Sequence, residues 1–340
     1  MATFETSLKS RLIYVFAISD EWHKDCLKVG ETTLEEDDGN FPLPNSEILN
    51  KAACDRIDQY TKTAGIAYTL LHTEMTVFFK GGTISSFNDK QVHSVLERSG
   101  VKKKTFDTVK GANEWFCCDL ETVKKAIHAV KNGQNSLNAS DISHTQTPII
   151  FRPEQQAAID KTKKQFKKGS QMLWNAKMRF GKTLCALRVA RDLDMRRTII
   201  LTHRPVVDEG WFEDFGKIFY DRTDYHYGSR TKGEDFDSLE RLAKKGGKYV
   251  YFASMQDMRG AQLVGGKFDK NNEVFSTEWD FLIVDEAHEG TRTELGEAVI
   301  KELTKVNTKV LKLSGTPFNL LDDYTEEETY TWDYTMEQRA

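Results

Sequence analysis

Four short apolar runs in the second half of the chain each predict a strand that is apolar on both faces. They are "TIILTH", "YVYFASM", "WDFLIVDEAH" and "KVLKLSGTP", and amphipathic stretches separate them. A strand that is apolar on both faces must be covered on both sides, as in a parallel sheet layered between helices. This part of the chain is therefore predicted to be an α/β domain built on a parallel sheet.

Residues 175–183, "NAKMRFGKT", have the ending of a phosphate-binding loop. "QMLWNA" can form a strand before it and "GKTLCALRVARDL" a helix after it, so backbone N–H groups and the helix amino terminus would face phosphates. Directly after Gly181 in the sequence, Lys182 would reach the β- and γ-phosphates and Thr183 would hold magnesium. Arg179 stands where glycine is often found, so it must change the loop path or place a guanidinium near phosphates or DNA.

Two carboxylates complete this candidate site. Asp285 and Glu286 follow the apolar run "FLIV", at the carboxyl end of a predicted strand. Ligands of open parallel sheets bind at that edge. Asp285 would bind magnesium through the coordination shell of the ion, and Glu286 would orient the attacking water.

With these motifs in place, the chain from Phe151 onward resembles the first RecA-like lobe of superfamily-2 helicases and translocases, especially the motor subunits of restriction enzymes. In "FRPEQQAAI" the resemblance assigns Gln155 to the adenine edge, and DEAH adds His288 to the nucleotide site. "LTHRPVV" resembles a motif that touches the nucleic-acid backbone, "YFASMQDM" a strand-contacting motif around Ser254 and Gln256, and "SGTP" the coupling motif.

The resemblance implies ATP and Mg²⁺ as cofactors and duplex DNA as the partner. The family's second lobe, with its arginine fingers, would follow residue 340, so we expect a fragment of a longer motor that binds nucleotide but hydrolyses it poorly. A methyltransferase or specificity subunit stays open as a further partner.

A polar segment divides the chain unequally. "KNGQNSLNASDISHTQTP" has no apolar period and the composition of a linker. Before it, apolar residues recur at helical spacing between a cap at Asp119 and a stop at Asn132 and Gly133. We therefore expect a first domain over residues 1–130, a linker over 131–150 and the motor lobe over 151–340.

The first domain resembles the GIY-YIG nuclease fold, a small α+β domain, in its variant with Lys in place of the second Tyr. "LIYVFAISDEWHKDCLKVGETT" pairs two strand-like segments, one with Tyr14 and the other with Lys28 in "KVG". "ACDRIDQY" offers Arg56 on a helix, "DKQVHSVLE" is a second helix, and "NEWF" is a closing signature. The matches cover about the first 120 residues.

Phosphodiester hydrolysis needs a group that activates water, a cation for the transition state and a carboxylate for one metal ion. Tyr14 and Arg56 are the candidates for the first two roles. For the metal, the resemblance points to Asp89, four residues before His93, and Glu97 lies one helical turn further. Each of these residues also has a non-catalytic alternative that stays open. Tyr14 could simply pack on its strand and Arg56 could form a surface ion pair. His93 could be structural and Glu97 solvated.

Composition excludes little. The net charge is −4, from 48 basic and 52 acidic residues, so a surface for nucleic acid would have to be local. Residues 101–110 and 161–168 are basic runs that could meet phosphates or simply form solvated faces. Five scattered cysteines without a C-x-x-C pair indicate buried small side chains in a reducing compartment. No stretch has the length of a membrane span, so we expect a cytoplasmic, soluble protein.

The sequence thus predicts an ATP-dependent DNA translocase with an N-terminal Mg²⁺-dependent endonuclease domain, of the restriction or phage-defence type. Two alternatives stay open. The first domain could be a catalytically inactive DNA-docking module on the same motor, or the motor could act on RNA.

Overall fold

The computed structural model describes residues 10–34, 41–106, 114–139, 141–142, 149–203, 205–287, 293–315 and 320–332. The chain divides into two compact units, Met1–Leu137 and Asn138–Ala340, and the division falls inside the segment predicted as a linker. Among the residues described, no helix combines the length and the apolar character needed to span a bilayer.

The first unit contains an antiparallel sheet of four strands in the order β3-β1-β2-β6, and a separate two-stranded hairpin. Its strands are β1 (Arg11–Ile18), β2 (Leu27–Thr33), β3 (Tyr68–Met75), β4 (Val77–Lys80), β5 (Thr83–Ser86) and β6 (Trp115–Phe116). Its helices are α1 (Glu47–Thr61), α2 (Asp89–Arg98) and α3 (Leu120–Lys131).

Alternation along β1 explains how the helices cover this sheet. Leu12, Tyr14 and Phe16 point to one face and share a core with the buried side of α1. Helix α3 begins where the sequence predicts, because the Asp119 side chain accepts a hydrogen bond from the Thr122 N–H at 2.7 Å. Trp115 and Phe116 are both buried, so the aromatic pair of "NEWF" belongs to the core.

The second unit is built on one sheet of seven parallel strands, in the order β13-β7-β12-β11-β8-β10-β9. The strands are β7 (Gln171–Ala176), β8 (Arg197–Thr202), β9 (Tyr225–Gly228), β10 (Lys248–Ser254), β11 (Phe281–Val284), β12 (Lys309–Ser314) and β13 (Thr329–Trp332). The helices are α4 (Pro153–Gln165), α5 (Lys182–Asp192), α6 (Asp208–Phe219), α7 (Phe236–Lys244), α8 (Met255–Met258), α9 (Asn272–Ser276) and α10 (Glu294–Leu303). Three short 3₁₀ helices cover Pro205–Val207, Gln262–Val264 and Leu321–Asp323.

Both faces of this sheet are buried. Successive residues of a strand enter opposite cores: Ile199 and Leu282 lie in one, Ile200 and Ile283 in the other. The four apolar runs form strands β8, β10, β11 and β12, and the predicted α/β class with a parallel sheet is confirmed.

Candidate functional site

Three neighbouring strands of the second unit bring the predicted nucleotide-binding segments together. β12 lies between β7 and β11, and all three are parallel, so their carboxyl ends meet at one edge of the sheet. The loop after β7, Gly315 after β12 and Asp285 after β11 therefore share that edge, where open α/β sheets bind ligands.

The loop after β7 ends at a left-handed glycine. Gly181 has φ +85° and caps α5, so Lys182 and Thr183 occupy the first helical turn, where N–H groups have no acceptor within the helix. The Lys182 Nζ donates a hydrogen bond to the Ala176 carbonyl at 2.8 Å, across the mouth of the loop. A β-carbon built on Gly315 would lie 3.9 Å from that Nζ. The lysine thus lies between the loop and the glycine of the coupling motif.

Arg179 has a left-handed backbone conformation, which glycine adopts more readily than other residues. Its φ is +68°, in the left-handed region, which costs a non-glycine residue on the order of 1–2 kcal/mol. The next side chain, Phe180, is fully buried and packs against Trp174, Tyr330 and Trp332, with ring centroids 5.3 to 6.3 Å apart. This anchor holds the loop in its path despite the strained backbone.

Gln155 and Arg152 bind the same loop from the start of α4. The Gln155 amide donates to the Phe180 carbonyl at 2.6 Å and accepts from the Arg152 N–H at 2.9 Å. The Arg152 guanidinium donates to the carbonyls of Phe180, at 3.1 Å, and Arg179, at 3.4 Å. Both polar atoms of the predicted base-reading Gln155 thus already contact protein, and its contact with adenine stays a prediction.

Asp285 directly follows β11 and is partly buried. Burial raises the pKa of its carboxyl, as does the charge of Glu286, while the Lys182 ammonium, the Glu286 N–H and the Trp211 side chain lower it. The Glu286 N–H donates to Asp285 Oδ1 at 3.0 Å, and Glu286 itself has φ +49°. His288 lies outside the described residues.

These residues fit a magnesium nucleoside triphosphate. Backbone N–H groups at the start of α5, the Lys182 ammonium and the partial positive charge of the helix terminus all favour phosphates. Asp285 supplies a carboxylate and Thr183 a hydroxyl, which are oxygen ligands of the kind that Mg²⁺ prefers.

The predicted strand-contacting residues have mixed surroundings. The Ser254 hydroxyl caps α8 by accepting from the Asp257 N–H at 3.2 Å, whereas Gln256 is exposed. In the basic run 161–168, the Lys161 Nζ donates to the carbonyls of Glu326 and Thr329, so part of that charge is used inside the fold.

In the first unit, the predicted Tyr14, Lys28 and Arg56 come together on one face of the sheet. The Tyr14 and Tyr60 hydroxyls are 3.5 Å apart, and the Lys28 Nζ lies 4.6 Å from the centre of the Tyr60 ring. Lys28 also pairs with Glu114 at 3.2 Å. Arg56 is close enough to lower the pKa of both tyrosines.

The Tyr14 ring packs directly on the backbone of Gly30. They are partners in the β1-β2 register, and a β-carbon on Gly30 would lie 2.7 Å from the Tyr14 ring, so the ring lies across the bare backbone. Burial raises the pKa of the Tyr14 phenol, although the Tyr60 hydroxyl and Arg56 act in the opposite direction. The phenol therefore keeps its proton at neutral pH and can donate a hydrogen bond.

The predicted metal ligands lie along α2. The Asp89 N–H, at the start of the helix, donates to Glu31 at 3.3 Å, and Glu97, near its end, forms an ion pair with Lys103. The buried His93 ring is 2.8 Å from the Val29 carbonyl and packs on Phe116. Within the part of the chain that the structure describes, no three His, Cys, Asp or Glu residues form a group suited to a metal ion.

Sequence reasoning missed several residues of both sites. In the loop these are Arg152 and Phe180, and in the first unit Tyr60 and Glu114. Tyr60 had a signal, because it stands four residues after Arg56 and so one helical turn away. Arg152 and Phe180 act through backbone carbonyls and packing, which no spacing rule reports.

Comparisons with known proteins were made for the whole chain. Residues 148–319 match the model of the family described as "Type III restriction enzyme, res subunit". The "Putative type II restriction enzyme and methyltransferase RM.MpnORF110P C-terminus" of Mycoplasma pneumoniae is 25% identical over 233 residues, which are 56% of this chain and 32% of that protein. This chain therefore spans about a third of the length of that curated relative.

Partial matches among solved structures include two DNA complexes. The "Sulfolobus solfataricus SWI2/SNF2 ATPase core in complex with dsDNA" has a TM-score of 0.39 and 16% identity, covering 54% of this chain and 37% of that one. A nuclease-deletion mutant of the Type ISP restriction-modification enzyme LlaGI, in complex with a DNA substrate mimic, has a TM-score of 0.38 and 18% identity, covering 56% and 20%.

Proposed function

Because the chain belongs to the family of type III restriction enzyme res subunits, we propose that its second unit is the ATP-binding lobe of a motor that moves on duplex DNA. The observation that carries this proposal is the meeting of the Lys182 loop, Gly315 and Asp285 at one edge of the sheet. The motor serves restriction or phage defence. The relative named as both restriction enzyme and methyltransferase supports a modification activity as its partner.

Each residue of this site has a distinct role in the proposal. When bound, the nucleotide contributes the phosphoanhydride bond to be hydrolysed, and magnesium neutralises charge on its phosphates. Lys182 leaves the Ala176 carbonyl and pairs with the phosphates. Asp285 and Thr183 would hold the cation, Glu286 would orient the attacking water, and Gly315 lies beside Lys182.

For the first unit, we propose a GIY-YIG-like endonuclease that requires a divalent cation. The cluster of Tyr14, Tyr60, Lys28 and Arg56 supports it, since a phosphodiester there would meet two phenols and two cations. Because burial keeps the Tyr14 phenol protonated, Tyr14 orients the attacking water or donates to a phosphate oxygen. Arg56 stabilises the negative charge of the transition state.

A second candidate for the first unit is a DNA-docking module without catalysis. It is favoured by α2, where Glu97 is paired with Lys103 and His93 with a backbone carbonyl. In that case the basic side chains bind phosphates and no carboxylate holds a metal. The docking module and the nuclease differ in one respect that can be measured, namely whether DNA is cut.

The test is nicking of supercoiled plasmid by the full 340-residue chain with magnesium or manganese. The nuclease predicts that Arg56→Ala lowers nicking by about 100-fold or more, because one transition-state cation is lost. Lys182→Ala is the matched control, since it removes one positive charge from the other unit and should leave nicking unchanged.

Two further variants identify the carboxylate. Glu97→Gln should leave nicking within about twofold, because an exposed ion pair contributes little. Asp89→Asn should abolish nicking if that acid holds the cation. Plasmid that stays intact with wild-type protein, while the protein still binds duplex DNA, would establish the docking module instead.

A further inference from the structure

Two cysteines of the first unit lie opposite each other at the ends of two neighbouring strands. Cys26 directly precedes β2 and Cys117 directly follows β6, and the antiparallel register pairs Leu27 with Phe116. Cys26 and Cys117 are therefore opposite each other, and their Sγ atoms are 2.8 Å apart. The prediction that all five cysteines are buried is confirmed for Cys26 and Cys185, but Cys54 and Cys118 are only partly buried and Cys117 is exposed.

The backbone holds this pair in place from both sides. The Cys117 N–H donates to the Lys102 carbonyl at 2.8 Å, and the Cys26 N–H donates to the His23 carbonyl at 3.1 Å. Directly opposite residues of an antiparallel pair have Cα atoms about 4.5 to 5.5 Å apart, inside the range of about 4.4 to 6.8 Å for disulfides. A bond between the two sulfurs thus requires rotation of side chains but no movement of strands.

The other cysteines do not compete equally. Cys118 follows Cys117 in the chain, and burial raises the pKa of its thiol to about 12, so its reactive thiolate is scarce. Cys54 lies on α1 and Cys185 on α5, where burial raises the pKa of the Cys185 thiol to about 12. Cys117 is the exposed thiol, with a partner already in contact.

We propose that Cys26 and Cys117 form a reversible disulfide when the protein meets a peroxide, and that this bond ties β6 to β2 beside Lys28. Cys26 belongs to the same core as Tyr14 and Trp115, and Lys28 stands two residues further along the strand. Glu114, which pairs with Lys28, lies three residues before Cys117. The modification site thus sits on the face of the sheet that carries the tyrosine and arginine cluster. It does not depend on the proposed nuclease.

The chemistry proceeds in two balanced steps. The Cys117 thiolate attacks one oxygen of hydrogen peroxide, the O–O bond breaks, and the departing hydroxide takes a proton to become water. The Cys26 sulfur then attacks the Cys117 sulfenic acid; the S–S bond forms, the S–O bond breaks, and the hydroxyl leaves as water with the Cys26 proton. Two thiols lose two electrons and one peroxide becomes two water molecules. Because burial raises the pKa of Cys26, the second step should be the slower one.

The test uses the full chain, reduced, freed of reductant and treated with hydrogen peroxide. After alkylation with N-ethylmaleimide, intact mass spectrometry should show three of the five thiols alkylated, on a chain that is two hydrogen atoms lighter than the reduced chain. Unreduced tryptic peptides should join the segment with Cys26 to the segment with Cys117, and dithiothreitol should restore all thiols. The oxidised chain should also melt at a higher temperature, because the bond closes a loop of 91 residues.

Serine variants decide between this bond and its rivals. Cys117→Ser, at an exposed position, and Cys26→Ser should each abolish the protection, while Cys118→Ser and Cys54→Ser should still form the bond. The proposal is overturned if Cys118→Ser removes the bond, if the wild type forms only dimers linked through Cys117, or if peroxide leaves all five thiols free. The melting curve of Cys117→Ser shows whether that variant is folded.

Discussion

The two candidate sites of this protein differ in whether backbone groups or side chains form them. In the second unit, one loop, one helix terminus and two neighbouring strand ends supply the groups, so the backbone fixes most of the geometry. In the first unit, side chains from β1, β2 and α1 and from the residue before β6 meet on a sheet face. A backbone site tolerates unusual side chains such as Arg179, whereas a side-chain site depends on every member of the cluster.

The largest expected effect concerns Lys182, which we propose pairs with the phosphates. Lys182→Ala should weaken binding of a fluorescent ATP analogue by about 10- to 150-fold, because charge-assisted hydrogen bonds contribute about 1.5–3 kcal/mol. Lys164→Ala, on an exposed position of α4, is the control with the same loss of charge. Equal affinity in both variants would mean that the loop binds nucleotide through its backbone alone, or not at all.

A second prediction separates the sites by pH. The pKa of Asp285 is raised above its ordinary value of 3.8. The carboxylate therefore takes up a proton as the pH falls through that pKa, and the affinity for magnesium nucleotide should then fall about tenfold. Asp285→Asn should bind weakly without this acid limb. Nicking should instead fall at alkaline pH, because the pKa of Tyr14 is raised above 10.0 and the useful form is the protonated phenol. If nucleotide binding and plasmid nicking both fell at acid pH, pH would not distinguish the two sites.

The smallest effect tests whether the loop really depends on its backbone. Arg179→Gly removes the strain of a left-handed arginine, but glycine also adds freedom to the unfolded chain, so we expect stabilisation within about 1 kcal/mol. Nucleotide affinity should stay within about threefold, because the Arg179 carbonyl that accepts from Arg152 is kept. Thermal melting and analogue titration measure both. A tenfold loss of affinity would place the guanidinium on the phosphates instead.

Sequence reasoning succeeded where a contiguous pattern carries the structure. The apolar runs predicted strands β8, β10, β11 and β12, and the Gly-Lys-Thr triplet predicted the start of α5. Asp119 and Gly133 predicted the two ends of α3. Each of these features depends on neighbours within one turn or one strand, so local physical chemistry is sufficient to predict it.

The acids of α2 show the opposite case. Their spacing places Asp89, His93 and Glu97 on one helical stripe, but it gives no information about which partner each one meets. The fold supplies Glu31 near the first, a carbonyl for the second and Lys103 for the third. The partners of Asp89 and His93 lie on β2, 58 and 64 residues away in the chain, whereas Lys103 lies six residues after Glu97, beyond the end of α2.

The sequence by itself determined the order of elements, the parallel sheet and the start of the helix after the candidate nucleotide loop, because hydrophobic period and turn chemistry act over a few residues. Only the tertiary structure decided that Arg179 keeps a left-handed backbone, that Arg152 and Phe180 hold the loop, and that Cys26 meets Cys117. Strand order and register bring such residues together, and these depend on how whole elements pack to bury apolar area rather than on any local pattern.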